Sequence, residues 1–105
     1  MNNRLTLQAL SIQKMECGRR YLTLSENISW ECFQQFACQL TDMLEGKVIR
    51  KFDGVDMRML EVDIKGCTFR VVFDDFPVMV TLESTDSRSD LLIPELFQKL
   101  QESST

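Results

Sequence analysis

The sequence has no histidine among its 105 residues. Histidine is the commonest general base and metal ligand, so its absence excludes Cys–His and Ser–His nucleophile pairs from this chain. No stretch approaches the roughly 18 apolar residues of a membrane-spanning helix. The first residues alternate between polar and apolar instead of forming a signal-peptide core. These absences predict a soluble, cytoplasmic protein that has no membrane partner.

Basic residues are fewer than acidic ones, 12 against 16. The formal net charge is −4 and the isoelectric point is about 4.8. Two short basic stretches, at 19–20 and 47–51, are too small to outweigh the acidic remainder. Proteins that bind nucleic acids usually carry a basic footprint, so we expect no nucleic-acid partner.

Cysteine is present without the spacing that metal or redox motifs use. The four residues are Cys17, Cys32, Cys38 and Cys67, and no CxxC motif occurs. A domain of this length folds without disulfides and the chain has no export signal, so we expect free thiols. Cys17, beside the basic pair at 19–20, is the best candidate for a reactive thiol, although free cysteines commonly serve as small hydrophobic residues.

Two segments have the periodicity of amphipathic helices. The first is predicted to begin at Ser29, a good N-cap, with Gly46 at the C′ position. The second is predicted to begin at Asp90 and to end near residue 101, with Pro94 in its first turn and residues 102–105 frayed. The apolar stripes of the two helices are Trp30, Phe33, Phe36, Ala37, Leu40 and Leu44, and Leu92, Ile93, Leu96, Phe97 and Leu100.

Between these helices the period changes to two, which predicts a meander of half-buried strands. A two-residue turn at 65–66 places Glu61 opposite Arg70, an opposite-charge pair. A four-residue loop at 74–77 is expected to join the next strand. Both turns keep one apolar series on a single face: Leu60, Val62, Ile64, Cys67, Phe69, Val71, Phe73, Val78, Val80 and Leu82.

An earlier strand at 47–52 has two possible orientations. A two-residue loop after it would send Ile49 to the core. A three-residue loop with a bulge would send Val48 and Phe52 there instead. The alternation of the sequence does not decide between these orientations.

The N-terminal residues 1–24 are predicted to form two strands, at 5–12 and 20–24, joined near residues 17–18. The element order is then β-β-α-β-β-β-β-α. One apolar sheet face and two amphipathic helices predict a single α+β domain over residues 1–105. We expect a two-layer sandwich, an antiparallel meander sheet with both helices on one face.

The second face of the sheet carries an apolar group that core packing does not explain: Met57, Met59, Val72 and Met79. In the predicted register Met59 lies opposite Val72, and Val72 lies opposite Met79. Contiguous apolar patches usually mark covered or binding surfaces, and methionine suits adaptable interfaces. Either the N-terminal hairpin folds over the patch, or a protein partner or a second copy of the chain binds it. Our leading hypothesis is a non-catalytic protein-interaction module or homodimer.

Loop carboxylates provide an alternative hypothesis, a small-ligand or metal-binding domain. Asp53 and Asp56 belong to one predicted loop, and Asp74 and Asp75 begin another at the same end of the sheet. Carboxylate oxygens bind Ca²⁺ and Mg²⁺. Ordinary turn chemistry explains the same residues without a ligand, and we expect no cofactor.

Paired carboxylates on one strand, Glu61 and Asp63, could indicate general acid–base catalysis. They lie opposite Arg70 and Thr68 in the predicted register, and solvated cross-strand pairing explains them. The sequence therefore predicts no catalytic residue.

Four short motifs follow one another along the chain from residue 28 onward. They read ISWECF at 28–33, DGVDMR at 53–58, KGC at 65–67 and VTLE at 80–83. Together they resemble an uncharacterised family of short bacterial proteins, a domain of unknown function. The resemblance implies a small bacterial α+β domain and brings no activity or site with it.

Overall fold

The computed structural model describes residues 10–25, 28–54, 57–75 and 78–103. These residues form six strands and two helices in the predicted order. The sheet is antiparallel throughout, with spatial order β1-β2-β6-β5-β4-β3. The predicted α+β architecture is therefore confirmed. The elements are β1 (Ser11–Lys14), β2 (Arg20–Ser25), α1 (Phe33–Met43), β3 (Lys47–Asp53), β4 (Met57–Ile64), β5 (Cys67–Asp75), β6 (Val78–Ser84) and α2 (Ser87–Ser103).

Both helices pack on the same side of the sheet, which we call the helix-side face. Phe69 and Phe73 of β5 lie at its centre and are 0% and 1% exposed. Burying side chains of this size contributes about 1.5–3 kcal/mol each. The same core includes Leu22, Phe36, Leu40, Leu60, Val71, Leu82, Ile93 and Leu100.

Helix α1 begins at Phe33, so the predicted start at Ser29 is wrong. Ser29 Oγ accepts a hydrogen bond from the Cys32 N–H at 3.3 Å, and it therefore caps a turn that precedes the helix. In an α-helix the Trp30 carbonyl would pair with the N–H four residues later. That carbonyl instead accepts from the Phe33 N–H, three residues later, at 3.4 Å and from Arg58 Nη1 of β4 at 2.8 Å. A tertiary contact thus occupies the acceptor that an earlier helix start would use.

The end of α1 also differs from the prediction, because Glu45 and not Gly46 takes the left-handed C′ position. Glu45 has φ 59°, and its N–H donates to the Asp42 carbonyl at 3.0 Å. The Gly46 N–H donates to the Thr41 carbonyl at 2.9 Å, which completes a Schellman motif. Gly46 serves close packing instead, since a Cβ there would lie 2.6 Å from the Asp63 carbonyl oxygen.

Helix α2 begins before Asp90, so the predicted cap there is wrong. Asp86 is the cap, and its Oδ1 accepts from the Ser89 N–H at 2.8 Å. Pro94 is consequently in the second turn and not the first, and it leaves the Asp90 carbonyl without its helical donor. Arg20 of β2 donates Nη2 to that carbonyl at 3.0 Å. The strand therefore supplies the hydrogen bond that proline removes.

The ends of the chain differ from the prediction in extent. Strand β1 occupies residues 11–14 and not 5–12, and residues 1–9 lie outside the described ranges. The predicted turn is present: Gly18 has φ 95°, and its N–H donates to the Met15 carbonyl at 2.9 Å. Helix α2 continues through Ser103, two residues beyond its predicted end.

The turn at 65–66 confirms the predicted register of β4 and β5. Lys65 and Gly66 have φ 55° and 79°, which a two-residue hairpin turn of type I′ requires. The pairing places Ile64 opposite Cys67 and Glu61 opposite Arg70, as predicted.

The four-residue loop predicted between β5 and β6 is wrong. Asp75 pairs with Val78, so only two residues, outside the described ranges, separate the paired positions. Val72 consequently lies opposite Thr81 and not Met79. A register shift of two residues changes every partner but keeps every side chain on its predicted face.

Strand β3 follows neither of the predicted orientations, because a register shift interrupts its pairing at Ile49. Before the shift Val48 pairs with Val62 on the helix-side face. After it Phe52 pairs with Met59 on the opposite face. Every residue of β3 is exposed.

Candidate interaction surface

The face of the sheet opposite the helices, which we call the back face, carries an apolar row across three strands. Phe52 of β3 pairs with Met59 of β4, which pairs with Val72 of β5. Phe52 is 53% exposed, whereas Met59 and Val72 are half-buried. Thr81 of β6 continues the row and is only 7% exposed. The exposed part of the apolar row therefore lies on β3, β4 and β5.

The adjoining row on the back face contains the other two methionines of the predicted patch. Met57 of β4 and Met79 of β6 both lie opposite Asp74 of β5. Met57 is 37% exposed and Met79 is half-buried. The four predicted interaction residues thus share one face, although the lateral contact predicted between Val72 and Met79 is absent from this register.

A charged row borders the apolar row on its other side. Arg50, Glu61, Arg70 and Glu83 pair in succession across β3, β4, β5 and β6. Arg50 Nη2 lies 3.2 Å from Glu61 Oε1. Burial raises the pKa of the Glu83 carboxyl, and the positive charge of Arg70 opposes this shift. The sequence had indicated only the Glu61–Arg70 pair, because the other two pairs depend on the bulge in β3 and on the loop before β6.

A pocket of about 200 Å³ lies between the apolar and charged rows. Its lining combines an apolar floor with charged walls. Such a surface resembles the apolar core and polar rim of protein interfaces. The lining residues are Arg50, Phe52, Met59, Glu61 and Arg70.

The described part of the N-terminal hairpin extends the sheet and does not cover the back face. Strand β2 pairs with β6, and β1 pairs with the outer edge of β2. Both strands therefore lie beside the exposed apolar row, at the edge of the sheet remote from β3. The alternative in which the N-terminal hairpin folds over the patch therefore does not hold for residues 11–25.

The loop carboxylates of the alternative hypothesis are divided between the two faces. Asp53 pairs with Arg58 on the helix-side face, and its Oδ1 accepts from Arg58 Nε at 2.9 Å. Asp74 lies on the back face. Asp56 and the side chain of Asp75 are outside the description. Within the described residues no group of three His, Cys, Asp or Glu could hold a metal ion, and the four-carboxylate site stays a hypothesis.

Arg58 is a partly buried residue that the sequence reasoning missed. Its guanidinium lies 5.4 Å from the centroid of the Trp30 ring, and its side chain is 14% exposed. The Trp30 ring in turn meets Phe73 edge-on at 5.6 Å. These cation–π and aromatic contacts hold the segment before α1 against the sheet. Arg58 therefore has a structural role.

The cysteines are dispersed over the structure. Cys67 is buried in the core, as predicted, and Cys38 is half-buried. Cys17 and Cys32 are exposed, and all four are free. None of them lies in the rows of the back face.

Comparison with known proteins places the chain in a family. Residues 10–102 match the family described as "Protein of unknown function (DUF3630)", and the chain belongs to this family. No curated protein and no solved structure gives a match. In the described residues, no helix has the length and apolar character needed to cross a membrane. The family assigns no activity, so the function must be inferred from the surface itself.

Proposed function

We propose that this protein is a non-catalytic interaction module that binds another protein chain through the back face of its sheet. The observation that carries the proposal is the apolar row of Phe52, Met59 and Val72 on the face opposite the helices, in which Phe52 is 53% exposed and the other two are half-buried. A phenylalanine left half exposed forgoes roughly 1 kcal/mol of burial free energy. A partner that covers it recovers this free energy on binding.

The dimensions of the pocket favour a protein partner over a small ligand. Its volume of about 200 Å³ is below the roughly 300–1,000 Å³ of typical ligand sites. Glu61 stands beside Arg50 and Arg70 in its lining, so an anionic ligand would meet a carboxylate as well as two cations. A broad, shallow contact with another protein suits this lining better.

The compartment is part of the same proposal. We place the protein in the bacterial cytoplasm, without a membrane or nucleic-acid partner. The exposed free thiols of Cys17 and Cys32 support a reducing compartment, since oxidising compartments favour disulfides. The net charge of −4 supports the absence of nucleic acid.

Site-specific photocrosslinking in the producing cells tests the proposal. A photoreactive amino acid replaces Met59, and a control replaces Leu91, which is 73% exposed on α2. We expect a discrete protein adduct from position 59 and none from position 91. Introducing Met79→Lys should abolish the adduct while the circular dichroism spectrum stays unchanged. Absence of an adduct at position 59, or an identical pattern from both positions, would contradict the proposal.

A further inference from the structure

The charges of the charged row alternate in sign. The row is therefore complementary to a second copy of itself that runs in the opposite direction. From β3 to β6 it reads positive, negative, positive, negative, as Arg50, Glu61, Arg70 and Glu83. Four alternating charges face opposite charges when a second identical row runs in the other direction. Interfaces of two-fold symmetry require this kind of self-complementary surface.

A two-fold axis that runs along the strands, midway between β4 and β5, produces this reversal. It places Arg50 over the partner's Glu83 and Glu61 over the partner's Arg70. The same axis places Met59 over the partner's Val72, so apolar side chains meet at the centre. One operation therefore satisfies the charged row and the apolar row together, while at the margin of the contact it places Met57 over the partner's Asp74.

The alternative axis, perpendicular to the strands, does not satisfy both rows together. If it passes through the charged row, each charge faces its own copy, and like charges repel. If it passes through the apolar row, the charged row falls on the methionine row, with Glu61 over the partner's Met57. An unpaired charge buried against an apolar side chain is costly. The chemistry of the face thus selects one orientation.

We infer that the partner of the back face is a second copy of this chain, docked back to back about the two-fold axis between β4 and β5. This inference rests on the proposed function, in which the back face binds protein. Stacked sheets lie about 10 Å apart with strands within about 30° of each other, which the interdigitation of the apolar rows allows.

The area over which the two sheets overlap determines the expected affinity of the dimer. Only β3, β4, β5 and β6 overlap, and four strands span roughly 15–20 Å. Three rows of side chains along the strands add a similar length. This area is below the roughly 1,200–2,000 Å² of standard specific complexes, so we expect a weak, reversible dimer and not an obligate one.

Sedimentation of the full chain over a concentration range on the order of 1 µM to 1 mM tests the inference. We expect a monomer–dimer equilibrium for the wild-type protein. Met59→Lys and Val72→Glu should each weaken it at least about tenfold, because each places a charge over an apolar side chain. Phe52→Lys, at a residue that is 53% exposed, should weaken it too. Leu91→Lys, on α2, is the matched control and should leave the equilibrium unchanged.

Mixing Met59→Lys with Val72→Glu tests the position of the two-fold axis. In a mixed dimer the new ammonium at position 59 of one chain faces the new carboxylate at position 72 of the other. The second Met59–Val72 contact remains intact. We expect the mixture to associate more tightly than either variant alone. Absence of this rescue would overturn the axis, since the perpendicular arrangement never brings positions 59 and 72 together.

The outcomes separate this inference from the proposed function. A wild-type chain that stays monomeric at every concentration, while position 59 crosslinks to a different protein in cells, overturns the dimer and keeps the interaction module. A monomeric chain without any crosslink overturns both. Self-association with rescue on mixing supports both.

Discussion

The two faces of this sheet are made by the same strands but are covered differently. On β5, Phe69, Val71 and Phe73 point to the helices and are at most 1% exposed. Their neighbours Arg70 and Val72 point to the back face, where Arg70 is exposed and Val72 is half-buried. On β5 the helix-side residues are covered by the two helices, whereas the back face leaves Arg70 exposed and Val72 half-buried. Alternate residues of one strand thus serve the core on one face and, in the function we propose, a binding surface on the other.

Truncating the two faces should have very different effects on stability. Phe69→Ala should lower the free energy of unfolding by about 3–5 kcal/mol, because it leaves a cavity in the core. Val72→Ala on the same strand should cost less than about 1 kcal/mol in the monomer. Urea denaturation at low protein concentration measures both. A cost at Val72 equal to that at Phe69 would abolish the distinction between the faces.

The buried and exposed sides of α1 provide a control for the comparison of the two sheet faces. Phe36, 6% exposed, faces the sheet, so Phe36→Ala should cost about 3–5 kcal/mol. Gln35 is exposed, and Gln35→Ala should be nearly neutral. Comparable losses at these adjacent residues would show that the helix packs differently.

The contact between Arg20 and Asp90 should give the helix-side layer its acid sensitivity. The side-chain hydrogen bond from Arg20 lowers the pKa of Asp90 from its ordinary value of 3.8. A carboxyl with a lowered pKa adds stability above its unfolded pKa and loses it as the pH falls through the folded pKa. Asp90→Asn should therefore lower the free energy of unfolding near neutral pH, and this difference should shrink as the pH falls below about 4. Urea midpoints of both proteins across this range measure it, and a difference independent of pH would contradict the assignment.

Glu83 on the back face should show the opposite dependence on pH, with a smaller amplitude. Burial raises its pKa above the ordinary value of 4.5, against the attraction of Arg70. Its ionisation therefore opposes folding once the pH exceeds 4.5, and the effect vanishes below that value. The stability of Glu83→Gln relative to wild type should rise as the pH increases through this window. A relative stability that falls instead would show that pairing with Arg70 outweighs burial.

The sequence predicted the faces of the strands better than their partners. Alternation of period two, with the turn at 65–66, assigned Met57, Met59, Val72 and Met79 to the back face. Alternation does not distinguish registers that differ by two residues, which is why the loop before β6 was predicted too long. The bulge at Ile49 has no comparable local signal, so the sequence left the facing of Phe52 undecided.

The predicted helix starts failed for a different reason. Ser29 and Asp90 are both good caps, and a cap contributes only about 1 kcal/mol. Arg58 hydrogen-bonds the Trp30 carbonyl, and Arg20 hydrogen-bonds Asp90 through both its backbone and its carboxylate. The first contact joins residues that are 28 positions apart in the sequence, and the second joins residues that are 70 positions apart. The local sequence around each helix start therefore does not reveal them. The existence of both helices followed from periodicity, whereas their boundaries depended on tertiary contacts.

The most direct test of the division between the two faces is the urea midpoint as a function of protein concentration, for wild type and for Met59→Lys/Met79→Lys. Association that involves only folded chains raises the midpoint with concentration. We predict that the wild-type midpoint rises, and that the variant midpoint stays at the low-concentration limit of the wild type. A variant midpoint well below that limit would show that the back face is needed for folding. Identical midpoints at every concentration would show that it binds no second copy.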